Sequence, residues 1–141
     1  LAHEILRYQK KISGPLLARI DIQINMPRVK IEELLRKQNP SASQPIKEKV
    51  NKAKKIQSER FKNLKIYTNG EMSSSQCDEF IKIEASAEDL LKKLLNKSFI
   101  SARGYYRILK LAQTIADLEE SETVKSSHIA EAVQYRVRER E

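Results

Sequence analysis

The side chains best suited to chemistry in this sequence are cationic. Arg19 follows the turn Ser13-Gly14-Pro15 and opens an alternating segment. At such an edge its planar guanidinium, with five donors in a fixed fork, suits a phosphate presented by a neighbour. Arg103 falls near the start of a predicted helix opened by Ser101, where unpaired N–H groups and the positive end of the helix dipole favour anions. The alternative for each is an ordinary surface arginine, paired with Asp21 or Glu4. A third group is a stripe between residues 45 and 65, where Lys47, Lys49, Lys52, Lys54, Lys55, Arg60, Lys62 and Lys65 face only Glu48 and Glu59. Such a stripe attracts polyanions, nucleic acid among them. It equally describes the solvated face of a helix, because little aromatic residue interleaves it to stack bases.

Other chemistries lack their residues. No G-x-x-x-x-G-K-[ST] loop occurs, and Gly14, Gly70 and Gly104 stand isolated, so no glycine-rich loop can cradle phosphates through backbone N–H groups. The chain by itself is not expected to hydrolyse ATP. The carboxylate pairs Glu32/Glu33, Glu88/Asp89 and Glu119/Glu120 are adjacent in sequence, so they diverge on a helix and are expected to be solvated. Ser13, Ser101, His3 and His128 form no recognisable nucleophile arrangement. With one cysteine, Cys77, and two histidines, neither an internal disulfide nor a metal site is expected. A net charge of +8 and a pI of about 9.6 favour anionic partners. No apolar run approaches a membrane span and the first residues do not read as a secretory signal, so a soluble, cytoplasmic protein is expected, with no membrane partner.

The elements that must position these side chains are mainly helical. Ile5, Tyr8 and Ile12 share a helical face over 4–12, and Ser13-Gly14-Pro15 breaks it. Residues 19–26 alternate strictly, with Ile20, Ile22, Ile24 and Met26 on one side, and read as a strand ended by Pro27. A lone strand cannot make a sheet, so its ladder partners are expected elsewhere. A short helix over 31–37 and a loop over 39–43 follow. Pro45 suits the first turn of a long helix with Ile46, Val50, Ala53, Ile56 and Phe61 inward. Asn69-Gly70 and Ser73-Ser74-Ser75 read as turns, and Ser86 with Asp89 as the capped start of a helix over 86–96. Ser101 is placed to cap a helix with Tyr105, Ile108, Leu109, Leu111, Ala112, Ile115 and Leu118 inward, and Ser126 or Ser127 a last helix with Ile129, Ala132, Val133 and Val137 inward. Four helices after residue 40 predict a small bundle preceded by a strand and helix remnant. The orphan strand and the missing phosphate loop together predict a non-catalytic piece of a larger protein.

The stretch RYQKKISGPLLARIDI at 7–22 closely resembles the RYQKKISGPLLDRIDI stretch of Mg-chelatase-like AAA+ ATPases of the ComM/YifB type. SARGYYRILK at 101–110, TIADL at 114–118 and HIAEAVQYR at 128–136 resemble that family's C-terminal signature, and the matches follow the family's order across nearly the whole chain. The resemblance implies that residues 1–40 are the end of an AAA+ core, carrying the arginine-finger segment and last strand, and that residues 41–141 are the helical C-terminal lid. Arg19 would then be the arginine finger that reaches the nucleotide of the next subunit, and Arg103 the sensor-2 arginine that reads ATP phosphates. The parent protein would be an ATPase, with the phosphate loop and Mg-binding carboxylates in a core preceding Leu1, so that the isolated chain binds no cofactor. Implied partners are the rest of the subunit, neighbouring subunits of a homo-oligomeric ring, and DNA, which such motors process. Two other readings accompany this one: a nucleic-acid-binding helical module using the lysine stripe, and a magnesium-chelatase subunit involved in metal insertion. Ala18 stands where the family usually has Asp, and Gln113 where it commonly has Arg; a missing carboxylate beside Arg19 changes how that guanidinium is held.

Overall fold

The computed structural model describes residues 14–17, 19–29, 31, 43–97 and 100–135. The helix expected over 4–12, the one over 31–37 beyond its first residue, the loop over 39–42 with the domain boundary in it, Val137 and the charged tail lie outside these residues. The described elements are α1 (Gly14–Leu17), α2 (Ser43–Arg60), a 3-10 turn (Asn69–Glu71), α3 (Ser74–Phe80), α4 (Ala85–Lys97), α5 (Ala102–Leu118) and α6 (Ser126–Gln134). The chain is mainly helical, as its periodicities predict.

Helix α5 is the centre of the bundle. Its side chains Ile108, Leu109, Ala112, Ile115 and Ala116 are buried, spaced three and four apart so that they cover one broad face. Against it pack α2, the 3-10 turn, α3 and α6. Phe61, Met72, Cys77, Ile81, Ala87, Leu91, Val124, Ile129 and Ala132 complete the core, and burial of such side chains contributes about 1.5–3 kcal/mol for each large one. Two loops are pinned together by a parallel bridge between Ile83 and Val124. There Val124 donates to the Lys82 carbonyl at 2.8 Å and Glu84 donates to the Val124 carbonyl at 3.0 Å.

Helix ends differ from expectation in instructive ways. Ser73 is not merely a turn residue: its Oγ accepts from the Gln76 N–H at 3.2 Å and the Gln76 side chain accepts from the Ser73 N–H at 2.8 Å. This reciprocal capping box starts α3, a helix the sequence reading passed over. Helix α4 begins at Ala85 rather than Ser86, with Glu84 carbonyl accepting from Ala87 and Glu88. Helix α6 starts at Ser126 behind Lys125, and neither Ser126 nor Ser127 caps it. His128, fully buried, does that work instead: its Nδ1 accepts from the Lys125 N–H at 3.0 Å. Its Nε2 lies 3.0 Å from Glu119 Oε2, and that hydrogen bond holds the Glu119 carboxyl below the usual carboxylate range. Helix α5 ends with Glu120 at φ 55, the left-handed position that usually takes glycine. Glu120 instead brings a carboxylate to Lys52, 2.7 Å away.

Two expectations fail. The strand over 19–26 does not form: residues 22–29 have no regular secondary structure, and Ile20, Ile22, Ile24 and Met26 are all exposed. A strand exists through its ladder, and the backbone bond from Gln23 here meets Tyr135 at the end of a helix rather than a second strand. The inward stripe of α2 is also shorter than its pattern. Ala53 and Phe61 are buried, yet Ile46 is 65% exposed and Val50 40%. An 18-residue helix is about 27 Å long, and residues 43–52 run past the bundle with every side chain exposed.

Candidate functional site

Arg103 lies in the first turn of α5, directly after the Ser101 cap. The cap is formed as expected: Ser101 Oγ accepts from the Gly104 N–H at 3.2 Å and its carbonyl accepts from Tyr105 at 2.9 Å. Gly104 is needed for a close approach, since a Cβ there would stand 2.9 Å from the Ile100 Cγ2 methyl. The arginine side chain is exposed, and among the described residues it pairs with no carboxylate. An exposed guanidinium at a helix N-terminus has its own charge and the dipole acting together on an incoming anion. Beside this turn a groove of about 500 Å³ is walled by Leu91, Leu95, Ala102 and Tyr105. Replacing Ser101 by Ala leaves a first-turn N–H without its side-chain acceptor, so the chain should lose about 1 kcal/mol. Chemical denaturation checks this, with Ser101→Thr, which keeps the capping hydroxyl, expected to retain most of the stability.

Arg19 is also exposed, in a tight turn where its N–H donates to the Leu16 carbonyl at 3.0 Å. The pairing with Asp21 that would make it an ordinary surface arginine is not made. Asp21 pairs instead with Arg107, Oδ1 to Nη1 at 3.1 Å, and among the described residues Arg19 has no carboxylate partner. Two residues further on, the Gln23 N–H donates to the Tyr135 carbonyl at 2.7 Å. The segment after Arg19 is thus laid against the helix that carries Arg103. The contact made is between Asp21, two residues after Arg19, and Arg107, four residues after Arg103.

The lysine stripe is elsewhere. Lys52 reaches Glu120 at the C-terminal end of α5, and 17 residues of helix put that end about 25 Å from Arg103. Lys47, Lys49, Lys54 and Lys55 are exposed along α2, while Lys62 lies 3.6 Å from Glu59. Arg60 does not belong to the stripe. Its Nη2 and Nη1 meet the two oxygens of Asp117 at 2.6 and 2.9 Å, and Nη1 also donates to Asn69 Oδ1 at 2.7 Å. Asp117, fully buried, further accepts from Asn69 Nδ2 at 2.8 Å and Gln113 Nε2 at 2.9 Å. The Asn69 N–H donates to Gln57 Oε1 at 3.0 Å. This network ties α2, the 3-10 turn and α5 together, and sequence reasoning missed it. The signal was present as two polar residues four apart, Gln113 and Asp117, inside an otherwise apolar helix face.

The remaining candidates have structural occupations. Glu88 pairs with Lys92 at 2.8 Å, and Glu119 and Glu120 serve His128 and Lys52, so neither adjacent carboxylate pair acts as a unit. Burial pushes the Cys77 thiol up from its ordinary value, which disfavours the reactive thiolate. Among the described residues no helix is long and apolar enough to cross a membrane.

Comparison with known proteins gives consistent results at both ends of the chain. Residues 40–136 match the family described as magnesium chelatase, subunit ChlI C-terminal, and residues 1–34 match magnesium chelatase, subunit ChlI. Competence protein ComM of Haemophilus influenzae is 36% identical over 137 residues, covering 94% of this chain and 26% of that protein. The uncharacterized protein YifB of Escherichia coli is 32% identical over 138 residues, covering 97% of this chain and 26% of that protein. The chain therefore spans about a quarter of the length of the curated relatives it matches.

Proposed function

The chain belongs to the magnesium chelatase subunit ChlI family, matched through its C-terminal part, and on that premise we propose that it completes the nucleotide sites of an AAA+ ring motor. Residues 1–40 end the ATPase core and residues 41–141 form its C-terminal lid. Arg19 acts in trans as the arginine finger on the neighbouring subunit's ATP, and Arg103 acts in cis as the sensor-2 arginine. The phosphate loop and Mg-binding carboxylates belong to the rest of the subunit. The observation that carries this reading is the pair of arginines itself. Each falls in a family-matched stretch, each is exposed, and neither is neutralised by a described carboxylate. A buried or paired arginine could not meet an incoming phosphate without losing its partner.

Bound ATP would supply a transferable γ-phosphoryl group. Arg19 would place positive charge where negative charge develops on that group. Arg103, fixed by the Ser101 cap on a rigid helix, would hold phosphate oxygens and carry their presence into α5. ATP turnover of the full-length ring with either arginine replaced tests both roles. The ComM-type resemblance supports DNA processing by the motor rather than metal insertion. Cytoplasmic localisation accompanies that reading.

A specific feature favours a direct contact with nucleic acid. Helix α2 carries Lys47 and Lys49 past the bundle and Lys54 and Lys55 on the exposed side of its packed part, with no ion pair to any of the four among the described residues. Neutralising four phosphates gives a salt slope of about −3.6, so affinity should fall about a hundredfold between 50 and 200 mM salt. Titration of labelled single-stranded and duplex DNA checks this, with the four lysines changed to Gln flattening the slope. Absence of binding at low salt removes the contact from this domain.

A further inference from the structure

The two arginines lie 84 residues apart in sequence, yet a short path through side chains joins them. Asp21 follows Arg19 by two residues, a span of at most about 7 Å of chain. Its carboxylate meets Arg107, whose side chain is only 19% exposed. Arg107 is four residues beyond Arg103 on α5, one turn along the same helix face. The Gln23 to Tyr135 backbone bond holds the next stretch of the segment to the end of α6.

We propose that Asp21 and Arg107 are positioning residues that fix the Arg19 turn to helix α5, so that a movement of α5 driven by nucleotide at Arg103 is delivered to the neighbouring subunit's site. The proposal rests on the two arginines having the roles assigned above. Neither Asp21 nor Arg107 touches nucleotide. Together with the Gln23 to Tyr135 backbone bond, the ion pair ties the surface turn of Arg19 to the bundle, so that Arg19 moves with the lid. It also separates the tasks of neighbouring carboxylates: Asp21 holds the segment through Arg107 and leaves the Arg19 guanidinium available. Because the pair is partly shielded by Arg107's surroundings, its attraction is less screened by salt than that of a fully exposed pair.

The test uses the full-length ring with Asp21→Asn, Arg107→Gln and the charge-exchanged double variant D21R/R107D. Each single change should lower kcat for ATP at least about fivefold, leaving KM for ATP and ring assembly by gel filtration unchanged. The exchanged pair should recover most of the loss, and the unchanged KM and assembly of the single variants separate positioning from a merely stabilising role. Unchanged kcat in the single variants, failure of the rings to assemble, or a double variant no better than the singles would each overturn the proposal. Arg19→Ala measured alongside separates the two ideas. If it abolishes turnover while Asp21→Asn does not, only the positioning proposal fails; if it leaves turnover intact, the finger assignment fails first.

Discussion

Arg19→Ala in the full-length ring is expected to lower ATP turnover by about three orders of magnitude, the range over which arginine fingers act. The loss should fall on kcat, because the guanidinium is needed where charge develops in the transition state rather than for holding ground-state ATP. Folding should be unaffected. Arg19 is exposed and, among the described residues, unpaired, and such surface changes are usually worth within about 0.5 kcal/mol. Arg19→Lys should recover little, since a point charge lacks the planar fork that meets two phosphate oxygens at once. Arg103→Ala should act differently, weakening nucleotide binding as well as turnover, because in the proposed sensor role that arginine would contact phosphates before and during reaction. A wild-type kcat in Arg19→Ala rings would remove the finger role.

Asp117→Ala is expected to have the largest effect on folding. The carboxylate is fully buried and takes four hydrogen bonds, two from Arg60 and one each from Asn69 and Gln113. Its removal strands a guanidinium that is only 16% exposed and leaves two buried amides short of an acceptor. Breaking a buried pair from one side costs about 3–5 kcal/mol, a large part of the 5–15 kcal/mol that holds a typical domain. Urea unfolding followed by circular dichroism measures it. Changing Arg60→Met and Asp117→Leu together should cost less than the two single changes summed, because no uncompensated charge remains. A loss below about 1 kcal/mol in Asp117→Ala would show that the network does not hold α2 to α5.

The bundle was largely legible in the sequence because its helices bury their own apolar faces. Ser101 and the run from Tyr105 to Ile115 fix α5 by local rules alone, and the observed cap and core agree with them. The failures occur where a pattern depends on something outside the bundle. Ile20, Ile22, Ile24 and Met26 alternate as a strand does, yet without ladder partners they remain exposed coil. Ile46 and Val50 continue the inward register of α2 past the last element that could cover them. The Asp117 network was hidden for another reason: Arg60 looked like one more cation in a lysine-rich helix, and only the packing of three elements reveals its buried partner. At the candidate site, the two arginines were visible as residue types. The Asp21–Arg107 contact that relates them was not, since it joins segments distant in sequence.

Mixing two inactive variants of the full-length subunit tests most directly whether these arginines complete different sites. One variant carries Arg19→Ala; the other lacks a working phosphate loop in the preceding core. If Arg19 acts in trans, mixed rings should regain ATP turnover, because an intact phosphate loop in the first variant can receive Arg19 from the second. Arg103→Ala mixed with the same phosphate-loop variant should regain none, because sensor and loop serve one site within one subunit. Recovery in both mixtures, or in neither, would contradict the assignment of one arginine to the neighbour and one to the lid.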